Sequence, residues 1–501
     1  MNTHRPRKLI LIEMNEITWR LVDPLLARGQ LPNFAKLAAR GVRASPIADE
    51  QGADLDPWIS WTTVHTGRRA AEHGVKFLEQ PPETVTGPRL WDIVADAGRP
   101  VGVFGSIMSW PPRKDIAGFW VPGTFSPGYE TFPPQLEAIQ ELNLSYTREH
   151  SPVAGNLRRR MSRPELLLRL KALGLRTATV ARIAGFYARR VLGLAQPWEK
   201  VSMQPLINFD FFEKLWKRHR PAFATFHTNH VAHYQHRYWR AADPGPFLEK
   251  PDDAEVRRYG DAIGFGYRVA DELLGRVMAM AGDDTIVAVA SGLAQQPYVT
   301  EEFRGGRSVV RLRDIGRVLE LIGMQGQCVP YSVMAPQWNL PFADIATRQA
   351  AERALEAAWI GTPEQKLFAC TGAGNTLCIN VRQKLPRPID WDAECVFPTT
   401  GQRLRMRELC AEKDPTPKQG CHDRRGLLLM AGPGIAAGRD LGECSTLDLA
   451  PTFLHALRLP KPDYMPGHVL HAAFTDAPAP QRAPAVAAAP AFDPIGQHEA
   501  A

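Results

Sequence analysis

Two histidine-containing segments carry the residues best suited to metal chemistry. The first is the run 229–236, which contains three histidines and follows the apolar stretch 222–227. The second is Gly420-Cys421-His422, which precedes the apolar run 427–431. Imidazole nitrogens bind divalent metals, and polar side chains at the carboxyl ends of parallel strands gather at one edge of a sheet. The two segments therefore predict one polar site built from distant parts of the chain.

Residues at the end of the first predicted strand, 8–12, add carboxylates to this site. Glu13, Asn15 and Glu16 follow that strand, so we expect them at the same edge of the sheet. Asn15 and His236 are predicted to contact the substrate. Tyr238 and Trp239 come directly after the histidine run and are predicted to wall the pocket, where they would stack on a sugar or base; ordinary aromatic packing is the alternative.

Several short motifs, taken in order, resemble the alkaline phosphatase superfamily, specifically its type I phosphodiesterase and nucleotide pyrophosphatase branch, over about residues 9–470. They are Leu31-Pro32-Asn33, the run from Trp61 to Gly67, and His73-Gly74. The resemblance implies an α/β fold with a mostly parallel sheet sandwiched by helices and a helical cap insertion. It also implies a hydrolase or transferase that acts on a phosphodiester, a phosphomonoester or a related ester with divalent metals, commonly zinc.

Carried over position by position, the resemblance implies that Asn229, His233 and His422 bind the first metal, with Asn229 in place of the family's Asp. Glu13 stands in place of the first Asp, as a second ligand or a base. The family's Asp-His pair is replaced by Ser291-Gly292, which removes two ligands of the second metal. One ion, predicted to be zinc, is therefore expected rather than two.

The nucleophile is not preserved, because Pro57 occupies its position. Asp56 is the nearest candidate and could act as nucleophile, base or ligand; the alternative is a helix N-cap followed by proline at the first helical position. Ser60, Thr62 and Thr63 are further candidates near this position, for which helix capping or packing is the alternative explanation. Two classes stay open: a metal-dependent enzyme, and a degenerate superfamily member that binds an anionic ligand or partner without turnover.

Composition is that of a globular chain of 501 residues, with 44% hydrophobic and 23% charged positions. No window approaches the roughly 18 consecutive apolar residues of a membrane span, and the short apolar run near the N-terminus does not resemble a signal peptide. Seven cysteines show no CxxC spacing, which favours reduced thiols. We therefore predict a cytoplasmic protein.

Residues 156–200 are rich in arginine at helical spacing. This stretch could steer an anionic substrate or contact the inner face of a membrane, or it could be a helical cap whose arginines are simply solvated. A lipid-linked or sugar-phosphate substrate is compatible with it. No nucleic-acid-binding module accompanies the basic pI of about 9.0, so nucleic acid is not expected as a partner.

Strands and helices alternate along the rest of the chain, which predicts a parallel sheet covered on both faces. The predicted organisation is a first core segment at 1–123, the cap at 124–200, a second core segment at 201–472 and a disordered Ala/Pro-rich tail at 473–501.

Overall fold

A computed structural model describes residues 7–52, 55–147, 161–299, 307–308, 310–333, 336–382, 385–386, 388–412 and 418–475. Its strands are β1 Lys8–Met14, β2 Gly41–Ile47, β3 Val101–Phe104, β4 Gly118–Val121, β5 Phe223–Thr228, β6 Thr285–Ser291, β7 Ala294–Pro297, β8 Arg307–Ser308, β9 Val310–Leu312, β10 Tyr331–Ser332, β11 Gln337–Pro341, β12 Trp359–Ile360, β13 Thr362–Lys366, β14 Phe368–Ala373, β15 Thr376–Val381, β16 Leu385–Pro386, β17 Glu394–Phe397, β18 Gln402–Arg405, β19 Cys410–Glu412, β20 Gly420–Asp423, β21 Leu427–Ala431 and β22 Arg439–Ser445.

The α-helices are α1 Trp19–Ala27, α2 Pro32–Arg40, α3 Pro57–Thr66, α4 Ala70–His73, α5 Leu90–Asp96, α6 Glu137–Thr147, α7 Arg163–Leu173, α8 Thr177–Val191, α9 Met203–His219, α10 His230–Ala242, α11 Asp253–Tyr259, α12 Ala262–Ala281, α13 Ile315–Leu321, α14 Ile345–Ala357, α15 Met406–Leu409 and α16 Leu449–Ala456. The region 253–281 forms two helices, α11 and α12, because the first helix ends at Gly260.

Eight strands form one large sheet in the order β22-β2-β21-β6-β1-β5-β3-β4. Only β21 runs antiparallel to its neighbours in this sheet, so the predicted α/β class with a mostly parallel sheet is confirmed. The central strand β1 is fully buried from Leu9 to Ile12, as expected of a strand covered on both faces. Glu13 lies beside His227 of β5 and Ala290 of β6, which brings three strand ends to one edge.

Helices cover both faces of this sheet around two separate cores. On one face α2, α9, α10 and α12 pack around residues such as Phe212 and Leu273, and on the other face α3, α5 and α16 pack around Trp61 and Trp91. The carboxylate of Asp271 accepts hydrogen bonds from the backbone N–H groups of Asn33 and Phe34, both at 2.9 Å. The Leu-Pro-Asn motif therefore has a local structural explanation: it begins a helix that a distant aspartate caps.

The predicted cap, 124–200, contains α6, α7 and α8 among its described residues, after a non-helical stretch at 124–133. Leu166 and Leu170 of α7 are buried in the core that also contains α9 and α12, and Phe186 of α8 packs with Ala195 and Met203. Residues 148–160, which include three of the predicted arginines, lie outside the described residues. The described helices therefore pack an apolar stripe against the main body.

A second lobe, residues 310–412, has its own hydrophobic core and was not separated from the main body by the sequence prediction. It contains two four-stranded sheets, β10-β11-β15-β14 and β13-β12-β17-β18, with α13 and α14. Asn339 donates to the Leu78 carbonyl at 2.9 Å, and the Tyr331 hydroxyl donates to the Glu79 carbonyl at 3.1 Å. These contacts dock the lobe on the loop that follows α4, so the segment predicted as core at 201–472 contains two cores.

At the end of the described chain, Ala473 and Phe474 are buried against the second of the two main cores. The remainder of the predicted tail, 476–501, lies outside the described residues. None of the helices among the described residues is both long enough and apolar enough to cross a membrane.

Candidate metal centre

Glu16 lies in the turn that follows β1, at the edge where the strand ends meet. Its backbone has φ of 62°, a left-handed conformation that is uncommon for a residue with a side chain. The Glu16 N–H donates to the hydroxyl of Ser291 at 2.9 Å, and the amide of Gln235 donates to the Glu16 carbonyl at 2.9 Å. Two neighbouring elements thus hold the backbone in the conformation that presents the carboxylate.

Two histidines from distant segments face this carboxylate. His236 lies on α10 and His422 on β20, which pairs with β7. The Nδ1 atom of His236 is 3.0 Å from the Gly420 carbonyl, and that of His422 is 2.7 Å from the Leu55 carbonyl. A carbonyl oxygen only accepts, so both Nδ1 atoms carry hydrogen. The Nε2 atoms therefore face Glu16, at 3.1 Å for His236 and 3.6 Å for His422.

One ligand atom each from Glu16, His236 and His422 lie within 4.8 Å of one another. The Glu16 side chain is 3% exposed, whereas those of His236 and His422 are 25% and 21% exposed. Catalytic zinc sites commonly combine three such protein ligands with a position open to water. A ring N–H donated to a backbone carbonyl is also the usual support of a metal-binding histidine. The donor set and its orientation fit a divalent ion.

Charges within this group oppose the cost of burial. Burial alone raises the pKa of Glu16, but His236 and His422 outweigh it and hold that pKa well below its usual range. Burial and the nearby Lys418 lower the pKa of His236. Burial lowers the pKa of His422 as well, but Glu16 overcomes this and raises it. The lowered pKa of His236 favours its neutral imidazole, the form that binds a metal.

Asp56 and Lys418 lie beside this group. Asp56 caps α3 by accepting from the Trp58 N–H at 2.9 Å, with Pro57 at the first helical position, which confirms the N-cap interpretation. Burial raises the pKa of Asp56, while His422 opposes that rise. Lys418 is exposed and acts electrostatically on Asp56, His236 and His422. No sequence pattern indicated Lys418, because one lysine in a polar segment resembles many others.

Glu13, predicted as a ligand or base, belongs to a different cluster. Its carboxylate is fully buried and lies 2.9 Å from His65 Nε2, 3.0 Å from His227 Nδ1 and 3.1 Å from the Ser106 hydroxyl. Burial would raise the pKa of Glu13, but His65 and His227 lower it to about 2. Its oxygens are thus occupied by neighbouring side chains. The sequence prediction missed His65 and His227 as its partners.

The predicted ligand set of Asn229, His233 and His422 is not the set that the structure brings together. His422 is a member, but His236 takes the place of His233, and Glu16 supplies the carboxylate. Asn229 instead accepts a hydrogen bond from the Asn15 amide at 2.7 Å. Asn15 is buried and also donates to Glu16 at 3.0 Å, so it positions Glu16.

The two aromatic residues predicted to wall the pocket both pack on other side chains. Trp239 is fully buried in a main core, and therefore cannot stack on a substrate. Tyr238 stacks on Tyr259 with ring centroids 5.0 Å apart. Aromatic packing, the alternative interpretation, is therefore the correct one for Trp239.

Thr63 lies in a buried hydrogen-bond network in which the donor and the acceptor of each bond can be assigned. The Val75 N–H donates to His73 Nδ1 at 3.1 Å, so a neutral His73 carries its hydrogen on Nε2 and donates it to Thr63 at 3.1 Å. The Thr63 hydroxyl then donates to Glu50. Burial lowers the pKa of His73 to about 4, which keeps the ring neutral. His73 therefore cannot accept a proton from Thr63, and the network is structural.

No protein-family model matches this sequence, and no curated protein matches it either. The relation to the alkaline phosphatase superfamily therefore stays a proposal, as does every activity that it implies.

Proposed function

We propose that this protein is a hydrolase of alkaline-phosphatase-like fold that uses one divalent metal ion, held by Glu16, His236 and His422. Its substrate would be an anionic ester, either a phosphodiester, a phosphomonoester or a related ester. One observation carries the proposal: the Nε2 atoms of two histidines, each fixed by a backbone carbonyl, converge on one buried carboxylate. The mostly parallel sheet, with this group at the carboxyl ends of its central strands, supports the fold.

An internal ion pair is a weaker explanation of this geometry. A neutral His236 with hydrogen on Nδ1 presents a lone pair to the Glu16 carboxylate at 3.1 Å. Two acceptors at that distance repel each other unless a proton or a cation lies between them. Glu16 favours a proton on His236, but burial and Lys418 outweigh it and lower the pKa of His236. A metal cation satisfies Glu16, His236 and His422 together.

Two imidazole nitrogens and one carboxylate oxygen favour zinc over calcium or magnesium, which prefer oxygen ligands. An ion of this kind polarises an ester oxygen and lowers the pKa of bound water. Lys418, exposed beside the ligands, would attract an anionic substrate. Asp56 would hold or release a proton next to that substrate, since burial raises its pKa toward the range of a general acid.

The test compares three histidine variants in metal content and hydrolysis. Bis(4-nitrophenyl) phosphate, 4-nitrophenyl phosphate and 4-nitrophenyl sulfate are the probe substrates, with added zinc or manganese. We expect His236→Ala and His422→Ala to lose both the bound metal and the activity. His233→Ala is the matched control, because it removes the same side chain one turn earlier on α10, and it should keep both. Loss of metal in His233→Ala with retention in His236→Ala would overturn the ligand assignment.

A second candidate function is binding of an anionic ligand without turnover. It is favoured by the lack of an activated protein nucleophile at the expected place: Pro57 has no nucleophilic atom, and Thr63 donates its hydrogen to Glu50 in a buried network. Stoichiometric metal, together with phosphate or vanadate binding but no hydrolysis of any probe, would favour this function over the enzyme.

A cytoplasmic location is part of the same proposal. All seven cysteines are free thiols, and burial raises the pKa of the buried ones, Cys378, Cys395 and Cys410, to about 12. Such thiols are unreactive, and they need no oxidising compartment.

A further inference from the structure

The cap helices expose large apolar side chains that neither core accommodates. Leu166 and Leu170 of α7 and Phe186 of α8 take the buried positions. Other apolar residues of the same segment point to solvent, with Leu168 at 73%, Val191 at 88% and Leu192 at 70% exposure. The full exposed set, here called the cap surface, consists of Leu167, Leu168, Tyr187, Val191, Leu192 and Leu194.

The same segment concentrates positive charge. Residues 161–194 contain seven basic residues and one acidic residue, a net charge of +6, whereas the whole chain carries +7. Four of the arginines form ion pairs at solvent-exposed positions, with Glu165, Glu213, Glu272 and Glu199. Among the described residues, Arg163, Lys171 and Arg190 have no carboxylate partner. A helical segment whose exposed side chains are both apolar and basic differs from an ordinary solvated helix, whose outer face is polar.

We propose that the cap surface binds the surface of a membrane that contains anionic phospholipids. Apolar side chains would enter the boundary between headgroups and acyl chains, while the basic side chains face anionic headgroups. A second copy of this chain is a poorer occupant, because a symmetric dimer would bring two surfaces of the same positive charge together. This proposal does not depend on the metal centre or on hydrolysis.

The test is co-sedimentation of the full chain with vesicles of phosphatidylcholine alone or of phosphatidylcholine with phosphatidylserine. We expect binding to the anionic vesicles at least tenfold tighter than to the neutral ones, and weaker at high salt. Arg190→Glu should weaken binding about 30-fold, since it changes the local charge by two at about 1 kcal/mol each. Val191→Ser should weaken it roughly tenfold through lost apolar burial.

Matched control variants distinguish vesicle binding by the cap surface from nonspecific binding by other exposed residues. Val329→Ser removes a similarly exposed valine, at 80% exposure, from the second lobe, and Arg257→Glu reverses an exposed charge on α11. Both should bind vesicles like the wild type, and so should His422→Ala. Three results would overturn the proposal: no binding of the wild type to anionic vesicles, equal loss in the control variants, or a wild-type dimer that Val191→Ser dissociates.

Discussion

Glu13 and Glu16 lie three residues apart at the end of one strand, and each faces two histidines, yet the two clusters differ in kind. Glu13 is fully buried between His65 and His227, which are 1% and 9% exposed. Glu16 is nearly as buried, but its histidines are exposed by about a fifth to a quarter of their side-chain surface. The first cluster is almost entirely buried, and the second is partly exposed to solvent.

The comparison shows that residue types alone do not define a metal site. At Glu16, backbone carbonyls take the Nδ1 hydrogens of both histidines and direct both Nε2 atoms to one point. At Glu13, one histidine faces the carboxylate through Nε2 and the other through Nδ1, and a serine hydroxyl takes a third position. The orientation of the imidazole rings and their exposure to solvent distinguish a binding site from an internal hydrogen-bond network.

The largest expected effect is on stability, from Glu13→Gln. Removing this charge leaves His65 and His227 without their buried carboxylate partner, which we expect to cost about 3–5 kcal/mol in the free energy of unfolding. Because the folded pKa of about 2 is below the usual 4.5, the carboxylate stabilises the protein above about pH 4.5. That contribution, about 3 kcal/mol, is lost as the pH falls from 4.5 toward 2. The measurement is denaturant unfolding of both proteins across this range.

Glu394→Gln is the control for that measurement. It removes one carboxylate from an exposed ion pair with Arg403, and the expected cost is below about 1 kcal/mol. A cost for Glu13→Gln no larger than that of Glu394→Gln would show that the buried cluster does not stabilise the fold.

A smaller effect, on metal affinity, is expected from Gly420→Ala. This substitution disturbs the backbone carbonyl that supports one ligand, His236. A Cβ at this position would lie 2.7 Å from the Gln235 carbonyl oxygen and would also collide with the Gln295 side chain. The strand must then shift, and with it the carbonyl that holds His236. Loss of an outer partner of this kind costs about 10–100-fold in metal affinity. Competition titration with a chromophoric chelator measures the change.

Gly185→Ala is the matched control, because nothing lies within 4 Å of its added Cβ. It should bind metal like the wild type. Unchanged affinity in Gly420→Ala would mean that His236 is oriented by something other than the Gly420 carbonyl.

Much of the fold could be predicted from the sequence, because strands that are buried on both faces of a sheet appear in the sequence as continuous apolar runs. The apolar run 427–431 is a strand with the same bounds, and the segments 13–16, 229–236 and 420–422 were correctly expected to meet. The second lobe was missed although its strand Thr376–Val381 is mostly buried and apolar. Its strands are short and separated by polar turns, so they gave no alternating strand and helix pattern.

The choice between His233 and His236 could not be made from spacing. Both lie on α10, three residues apart and therefore close to one face of the helix. Packing decides between them, because α10 is positioned by Gln235, which bonds the Glu16 carbonyl, and by β20, whose Gly420 carbonyl receives His236. These contacts join residues more than 180 positions apart, and no local pattern encodes them.

The most direct test is a zinc titration of the paired variants Glu16→Gln and Glu13→Gln under conditions in which both are folded. Both replace a buried carboxylate with an amide of the same shape, next to two histidines. We predict that Glu16→Gln binds zinc at least 100-fold more weakly than the wild type, since even an outer-shell loss costs up to that much, whereas Glu13→Gln binds normally. Normal binding by Glu16→Gln would contradict the assignment of the metal centre.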